Sequence, residues 1–279
     1  MTVAAFFALG ACTLTSIVGP PRSLAAAGGR VERAVVAAEQ ARRHAPRIIE
    51  VDVFGDSITA GFGVPAHQTW VAVVSHQLRV TQPPSVQHRL YSYAIDGQSI
   101  STPSLLSADP SNPTLLRQLS NYVARPPRAT PLAQRWVILT PSVNELIVSD
   151  AGTSAASRVA KAADGMRIAV GLLRGAGVRS DQILVLPMPP IGEAFAAEHD
   201  ATSVADRPLA WMIASLNRSI ADLLAVPRYG ALDPNDDGLA DPAFYDDLDD
   251  PLGRRGPDGL HLDADGHAFL GSAVTPALR

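Results

Sequence analysis

Cysteine is all but missing. Cys12 stands alone in 279 residues, so no disulfide can form within the chain and no Cys-based zinc site is possible. Lysine is as scarce: Lys161 is the only one, and arginine supplies the remaining basic charge, which reads as compositional bias. Positive charge is not in excess. The formal net charge is -4, which gives no reason to expect a nucleic-acid partner. Long apolar runs are missing too. Val3 to Val18 is too short for a comfortable transmembrane helix. There is no Walker loop, no His-Glu-x-x-His and no Gly-x-Ser-x-Gly elbow, so phosphate-cradling, zinc-protease and nucleophile-elbow chemistries fall away. Internal repeats are also lacking. What is present is a chain of 47% hydrophobic and 18% charged residues, which excludes wholesale disorder and supports a sizeable core.

The first segment stands apart. Val3 to Val18 resembles the core of a secretory signal, and Ala25-Ala26-Ala27 suits a small-residue cleavage site, although no positive charge precedes the run. Leu9-Gly10-Ala11-Cys12 resembles a bacterial lipoprotein box in which Cys12 would carry lipid. The plainer reading makes Cys12 an inert apolar residue of a discarded peptide. The expectation is an export segment over residues 1–27, a linker or N-terminal helix over 28–47, and one domain over 48–279. The protein is then secreted or held in the cell envelope, with a membrane anchor only if Cys12 is lipidated, and is read as a monomer.

From residue 48 onward, strand-like and helix-like stretches alternate. Ile48 to Phe54, Val86 to Ile95, Trp136 to Thr140 and Ile183 to Met188 read as strands, with a weaker fifth at Ala225 to Leu232. Helices are expected over Trp70 to Leu78, Thr114 to Val123, Ser154 to Gly175, Pro208 to Leu224 and Gly266 to Leu278. The third of these has Val159, Ala162, Met166, Ala169 and Leu173 at helical spacing. Gln98 to Pro113 and Gly192 to Asp206 read as loops that shape a pocket. Alternation of this kind argues an α/β fold: a three-layer α/β/α sandwich with a five-stranded parallel sheet, flavodoxin-like.

In such sheets ligands bind at the carboxyl edge of the strands. The residues at those ends are therefore the candidates. The first strand breaks at Gly55-Asp56-Ser57, the second ends at Asp96-Gly97, and the third leads into Ser142-Val143-Asn144-Glu145. Asp258-Gly259-Leu260-His261 falls just before the final helix. A serine needs a base to become a nucleophile, and the base needs a group that fixes its tautomer. Asp258 could reach the Nδ1–H of His261 and leave Nε2 for Ser57. The backbone N–H groups of Ser57 and Gly97 and the amide of Asn144 could converge on a developing oxyanion. The plain alternative for Asp56 and Ser57 is a helix cap.

At these residues the sequence resembles the SGNH hydrolases, the GDSL-type esterases and lipases. Phe54-Gly55-Asp56-Ser57-Ile58-Thr59 matches the first family block, Gly97 the second, Asn144 the third, and Asp258 with His261 the fifth. Gly55 to Leu78 and Asp258 to Gly271 look most like the lysophospholipase/thioesterase-type branch. The resemblance implies a serine esterase acting on a small-molecule, lipid or acylated-sugar ester. Ser57 would be the nucleophile, His261 the base and Asp258 its orienting acid, with Ser57, Gly97 and Asn144 as oxyanion donors and no cofactor or metal. The third block departs from the usual Gly-x-Asn-Asp. Ser142 narrows the space beside the oxyanion site and Glu145 replaces the acid, but neither removes the amide donor.

Other readings compete. A non-catalytic carbohydrate- or surface-binding module could keep the same fold, though it has no physical need for a complete Ser/Asp/His set. Gly61-Phe62-Gly63-Val64-Pro65-Ala66 formally fits a dinucleotide fingerprint, but it comes too late after the strand and contains Pro65. Asp233 to Asp241 resembles a calcium loop whose twelfth position is Phe244 rather than a bidentate acid, so a solvated acidic loop is expected. Asp56 is expected to brace its loop, Asp263 to cap the last helix, and His267 to be structural.

Overall fold

The computed structural model describes residues 35–37, 39, 46–101, 111–128, 130–147, 153–189, 191–202, 208–224 and 254–278. The chain divides into two compact units, Met1–Ala45 and Pro46–Arg279. Of the first, only residues 35–37 and 39 are described, and they are helical and exposed. The export segment with Cys12, the fifth strand expected at Ala225 to Leu232 and the acidic loop from Asp233 to Asp250 lie outside the described residues.

In the second unit four strands form one parallel sheet. They are β1 (Arg47–Phe54), β2 (Val86–Ser92), β3 (Trp136–Leu139) and β4 (Ile183–Val185), in the order β2-β1-β3-β4. In register, Val51 pairs with Leu90 on one side and Trp136 on the other, and Val137 pairs with Ile183. β2 ends earlier than expected, yet pairing persists beyond it: Tyr93 N–H donates to Val53 O (2.8 Å) and Ile95 N–H to Gly55 O (2.9 Å). β4 is short because Leu186 N–H makes the last ladder bond, to Leu139 O (2.9 Å), and the next N–H in phase, that of Met188, donates instead to Asn217 Oδ1 (2.8 Å).

Side chains alternate across the sheet and build two cores. Phe54, Val137, Leu139 and Val185 face a cluster shared with α3 (Leu115–Ala124), α5 (Ala155–Gly175) and α7 (Leu209–Leu224). Val51, Val53, Ile138 and Leu184 face the other cluster, shared with α2 (Trp70–Thr81) and α8 (Ala264–Val274). Helices on both faces make the expected three-layer α/β/α sandwich. Two further helices are single turns, α1 (Ser57–Ala60) and α4 (Asn144–Ile147). α6 (Glu193–Thr202) replaces the loop expected from Gly192 to Asp206. The final helix starts where Asp263 caps it, accepting from Gly266 N–H at 2.8 Å, and gives way to a 3-10 turn over Thr275–Leu278.

The first strand is less apolar than its hydrophobic character promised. Glu50 and Asp52 point to the α3/α5 side and are 6% and 0% exposed. Arg128 donates to both, through Nε to Glu50 Oε2 (2.9 Å) and through Nη2 to Asp52 Oδ1. Arg135, fully buried, lies 3.5 Å from each acid and donates through Nη2 to the carbonyls of Arg128 and Thr130 at 2.7 Å. Tyr122 OH donates to Asp52 Oδ2. Burial and the neighbouring Asp52 carboxylate push the Tyr122 phenol well above its ordinary range, so it stays a donor. Two acids and two guanidiniums thus neutralise one another beneath the site end of the sheet.

Candidate active site

The turn after β1 is set by close packing. A Cβ on Gly55 would lie 1.8 Å from Thr140 Oγ1 and 2.6 Å from Thr59 Oγ1, so only glycine fits there. Those two hydroxyls are themselves bonded at 2.8 Å, joining α1 to the end of β3. Asp56 then caps the single turn of α1, Oδ1 accepting from Ile58 N–H at 3.1 Å. Its bracing role is therefore the cap. Ser57 is the first residue of that turn, so its N–H has no intrahelical acceptor. α1 is too short for a large helix dipole, and what it offers an anion is the free N–H.

His261 reaches Ser57 from 204 positions along the chain. Its Nε2 lies 2.8 Å from Ser57 Oγ, and its Nδ1 lies 2.6 Å from Asp258 Oδ2. A carboxylate can only accept, so Nδ1 carries the proton and Nε2 is left to accept from the serine. Asp258 Oδ1 also accepts from Leu260 N–H and His261 N–H, each at 3.0 Å. Partial burial works against the charged form of Asp258, but the bonds from His261 and Leu260 outweigh it and hold the carboxyl below its usual range. Ser57 is buried, while Asp258 is open to solvent.

Gly97 and Asn144 occupy the two neighbouring strand ends. Gly97 sits at φ +69° in the turn closed by Gln98 N–H donating to Ile95 O (3.1 Å). Side-chain-bearing residues rarely adopt that conformation. Asn144 Nδ2 donates one hydrogen to Gln98 O at 3.0 Å, leaving its second. Ser142 Oγ donates to the same carbonyl at 2.5 Å, which commits its proton there. Glu145 turns away from the serine and accepts from the segment after Gly97. Ser57, His261 and Asp258 are thus directly bonded in series, while Gly97 and Asn144 meet through the Gln98 segment.

One neighbour was not singled out from the sequence. The Phe62 ring lies 4.5 Å from the His261 ring, centroid to centroid, at 37°. It is 52% exposed and covers the imidazole from the solvent side. With Val64, Pro65 and Pro257 it walls a hollow of about 430 Å³ beside His261 and Asp258. The signal was an aromatic directly after the nucleophile turn, inside the segment that mimics a dinucleotide fingerprint.

Two buried groups beside this cluster titrate in opposite senses. Burial pushes Asp56 up to about 6, partly offset by the hydrogen bond from Ile58 N–H. Burial also pushes His267 down to about 4. His267 is fully buried, and its Nδ1 accepts from Trp70 N–H at 3.2 Å, so neutral imidazole holds the start of α2. Its expected structural role fits this placement. Asp56 keeps its proton on folding up to about pH 6, whereas the unfolded carboxyl loses it from 3.8, so its contribution is lost as pH rises through that window. His267 must shed a proton to fold below its unfolded value of 6.5, so its contribution is lost as pH falls toward about 4. Each shift corresponds to something on the order of 3 kcal/mol. The expected result is a melting temperature nearly level from pH 4.5 to 6. Asp56→Asn should make it climb with pH over that range, and His267→Gln should make it fall. Thermal scans of the three proteins across this range check both slopes, and equal slopes in all three would contradict the assignment.

Among the described residues, no group of three or more His, Cys, Asp or Glu is placed to hold a metal ion, and no helix is long and apolar enough to cross a membrane.

Comparison with known proteins gives one family and one fold. The GDSL-like lipase/acylhydrolase family model matches residues 53–269. A search of curated protein sequences returns no match. Among solved structures, a member of the lipolytic protein G-D-S-L family from Veillonella parvula is similar at 16% identity and a TM-score of 0.52, covering 82% of this chain and 97% of that one. A lipase/acylhydrolase from Enterococcus faecalis is similar at 14% identity and 0.50, covering 82% and 95%. A catalytic mutant of an acetylxylan esterase from Geobacillus stearothermophilus is similar at 15% and 0.50, covering 84% and 96%. At these identities the structural likeness establishes the fold.

Proposed function

The chain belongs to the GDSL-like lipase/acylhydrolase family, and from that premise we propose that it is a serine esterase that cleaves carboxylic (acyl) esters through Ser57, His261 and Asp258. The observation that supports this best is the unbroken series from Asp258 Oδ2 through both nitrogens of His261 to Ser57 Oγ, at 2.6 and 2.8 Å.

In the first half-reaction Ser57 Oγ attacks the ester carbonyl carbon while its proton passes to His261 Nε2. The carbonyl π pair moves onto oxygen, where the N–H groups of Ser57 and Gly97 and the free hydrogen of the Asn144 amide receive it. Asp258 stays ionised and steadies the imidazolium. The Phe62 face beside it adds a cation–π contact at that moment. Collapse breaks the bond to the alcohol oxygen, which takes the proton from His261 Nε2, and an acyl-serine remains. In the second half water attacks the acyl carbon, His261 removes its proton, and collapse returns that proton to Ser57 Oγ as the acid leaves.

The named relatives differ in what they cleave, one being an acetylxylan esterase and another a lipase/acylhydrolase. A p-nitrophenyl ester series from acetate to long acyl chains, with phosphonate labelling of Ser57, tests the reading. Hydrolysis of at least one ester together with Ser57 labelling is expected. Inert esters and an unlabelled Ser57 would end the proposal.

Asn144→Ala should lower kcat by roughly a hundred- to a thousand-fold with little change in KM, because the amide acts on charge that exists only in the transition state. Ser142 should not substitute for it, since its proton is held by Gln98 O. Steady-state kinetics on the single mutant check the size of this loss. Wild-type-like kcat in the single mutant would remove Asn144 from the oxyanion site.

Export is part of the proposal. The apolar run from Val3 to Val18 and the alanines at 25–27 support it. N-terminal sequencing of protein from the native host should find a start near Gly28. An intact Met1 on cytosolic protein would refute export, and lipid on Cys12 would favour the anchored form.

A further inference from the structure

We propose that Glu145 and Ser142, the two residues by which the third block departs from Gly-x-Asn-Asp, are positioning residues that hold the Gly97 N–H on the oxyanion. The inference rests on the esterase reading above.

The Gly97 turn is fastened on both sides. Upstream, Ile95 N–H donates to Gly55 O at 2.9 Å, two residues before Ser57. Downstream, α3 holds the Ser99 and Ile100 carbonyls through Leu115 N–H (2.9 Å) and Leu116 N–H (3.1 Å), Gln98 Nε2 donates to Pro113 O (2.9 Å), and the third block adds further fastenings. The Gln98 carbonyl receives Ser142 Oγ at 2.5 Å and Asn144 Nδ2 at 3.0 Å. Glu145 Oε2 accepts from Ile100 N–H and Ser101 N–H, each at 3.0 Å, and Oε1 accepts from Ser101 Oγ at 2.7 Å. Ser142 Oγ also accepts from Asn144 N–H at 3.1 Å, which fixes the start of α4 and the direction in which Asn144 projects.

The carboxylate is what makes this a clamp. Glu145 is 3% exposed. A buried charge is costly unless it is paired and hydrogen-bonded. Three donors from the Ile100–Ser101 segment supply the bonds, and Lys161 Nζ, reaching in from α5, lies 3.7 Å from Oε1. If the loop moves outward, the carboxylate loses its donors while remaining buried. Charge-assisted bonds are roughly twice as strong as neutral ones, so the loop is pulled back. Aspartate at 145 would be one methylene shorter, and glycine at 142 would leave the Gln98 carbonyl with the Asn144 amide alone. The two departures therefore act together on one segment, and that segment carries an oxyanion donor. Placement matters there, since a displacement of about 1 Å can cost about a hundred-fold in rate.

The test measures kcat and KM per active site, with sites counted by the end-point of phosphonate titration at Ser57. Glu145→Gln keeps the shape and removes the charge. It should lower kcat per titrated site by about ten-fold or more and leave KM within about two-fold, as a loss confined to the transition state does. Glu145→Asp should recover part of that loss. Ser142→Ala should lower kcat in the same pattern by a smaller factor. If Glu145→Gln does not fold, Ser142→Ala alone decides by the same criterion. Variants that lose melting temperature and titratable sites but turn over at the wild-type rate per site would overturn the clamp and leave only a structural role. The two proposals fail separately: a wild-type protein that neither hydrolyses esters nor labels at Ser57 defeats the esterase reading, whereas an active wild type with equally active variants defeats only this one.

Discussion

Ser57→Ala is expected to keep its fold and to lose ester hydrolysis by about four to six orders of magnitude, the range seen when the nucleophile of such a series is removed. The fold survives because the change is small and local. Ser57 is 7% exposed, and its hydroxyl's bond is to His261, a side chain that Asp258 still holds from the other nitrogen. The rate falls because the attack step has no substitute. The oxyanion donors and the substrate contacts remain, so a residue of catalysis over water should persist, carried by hydroxide or water at the same carbonyl. Circular dichroism and thermal melting establish the fold, and burst kinetics establish the loss of the acyl-serine. Near-wild-type turnover by a correctly folded Ser57→Ala protein would sink the mechanism.

Arg135→Met is expected to lower stability by about 3–5 kcal/mol, the usual cost of breaking a buried charge pair. Methionine matches much of the volume, so the loss comes from charge and donors. Glu50 and Asp52 would share Arg128 alone, and the carbonyls of Arg128 and Thr130 would each lose a donor now at 2.7 Å. For a domain of this size, each kcal/mol moves the melting temperature by roughly 2–4 °C. Differential scanning calorimetry should therefore record a fall of about 6–20 °C. Adding Glu50→Gln should return part of it by removing one uncompensated acid. A melting point within about 2 °C of wild type would mean that the guanidinium contributes nothing net.

What could be read in advance follows the range of the interaction. The strands at β1 and β3 and the long helix α5 announce themselves by periodicity, since each is one element burying one face or both. The site residues were visible because they fall at strand ends or just before the final helix and match the ordered blocks of the GDSL-type family. The charge cluster was not visible in the same way. Asp52 looks like an interruption of an apolar strand until Arg128 is brought to it from 76 positions away. No local pattern encodes such a pairing. The same holds for Glu145, whose donors lie 44 and 45 positions upstream. α6 lies where a loop is expected, because Glu193 to Thr202 is rich in alanine and acid and lacks a clear apolar stripe. Arg158 is a milder case. It sits on the core face of α5, 3% exposed, because Nη1 donates to Leu146 O at 3.1 Å and Nε to Thr153 O at 3.2 Å.

The placement of Lys161 has a practical side. It is the only lysine in the chain, its side chain is 52% exposed, and its ammonium lies 3.7 Å from Glu145 Oε1. Amine-reactive dyes, biotin esters and activated resins therefore have one side-chain target, beyond the α-amino group. Molecules attached at that side chain would share one orientation on a surface. Conjugation there would also erase the positive charge next to a buried carboxylate. A tethered or dye-labelled preparation is consequently a chemically altered protein, and attachment through engineered cysteines avoids that change.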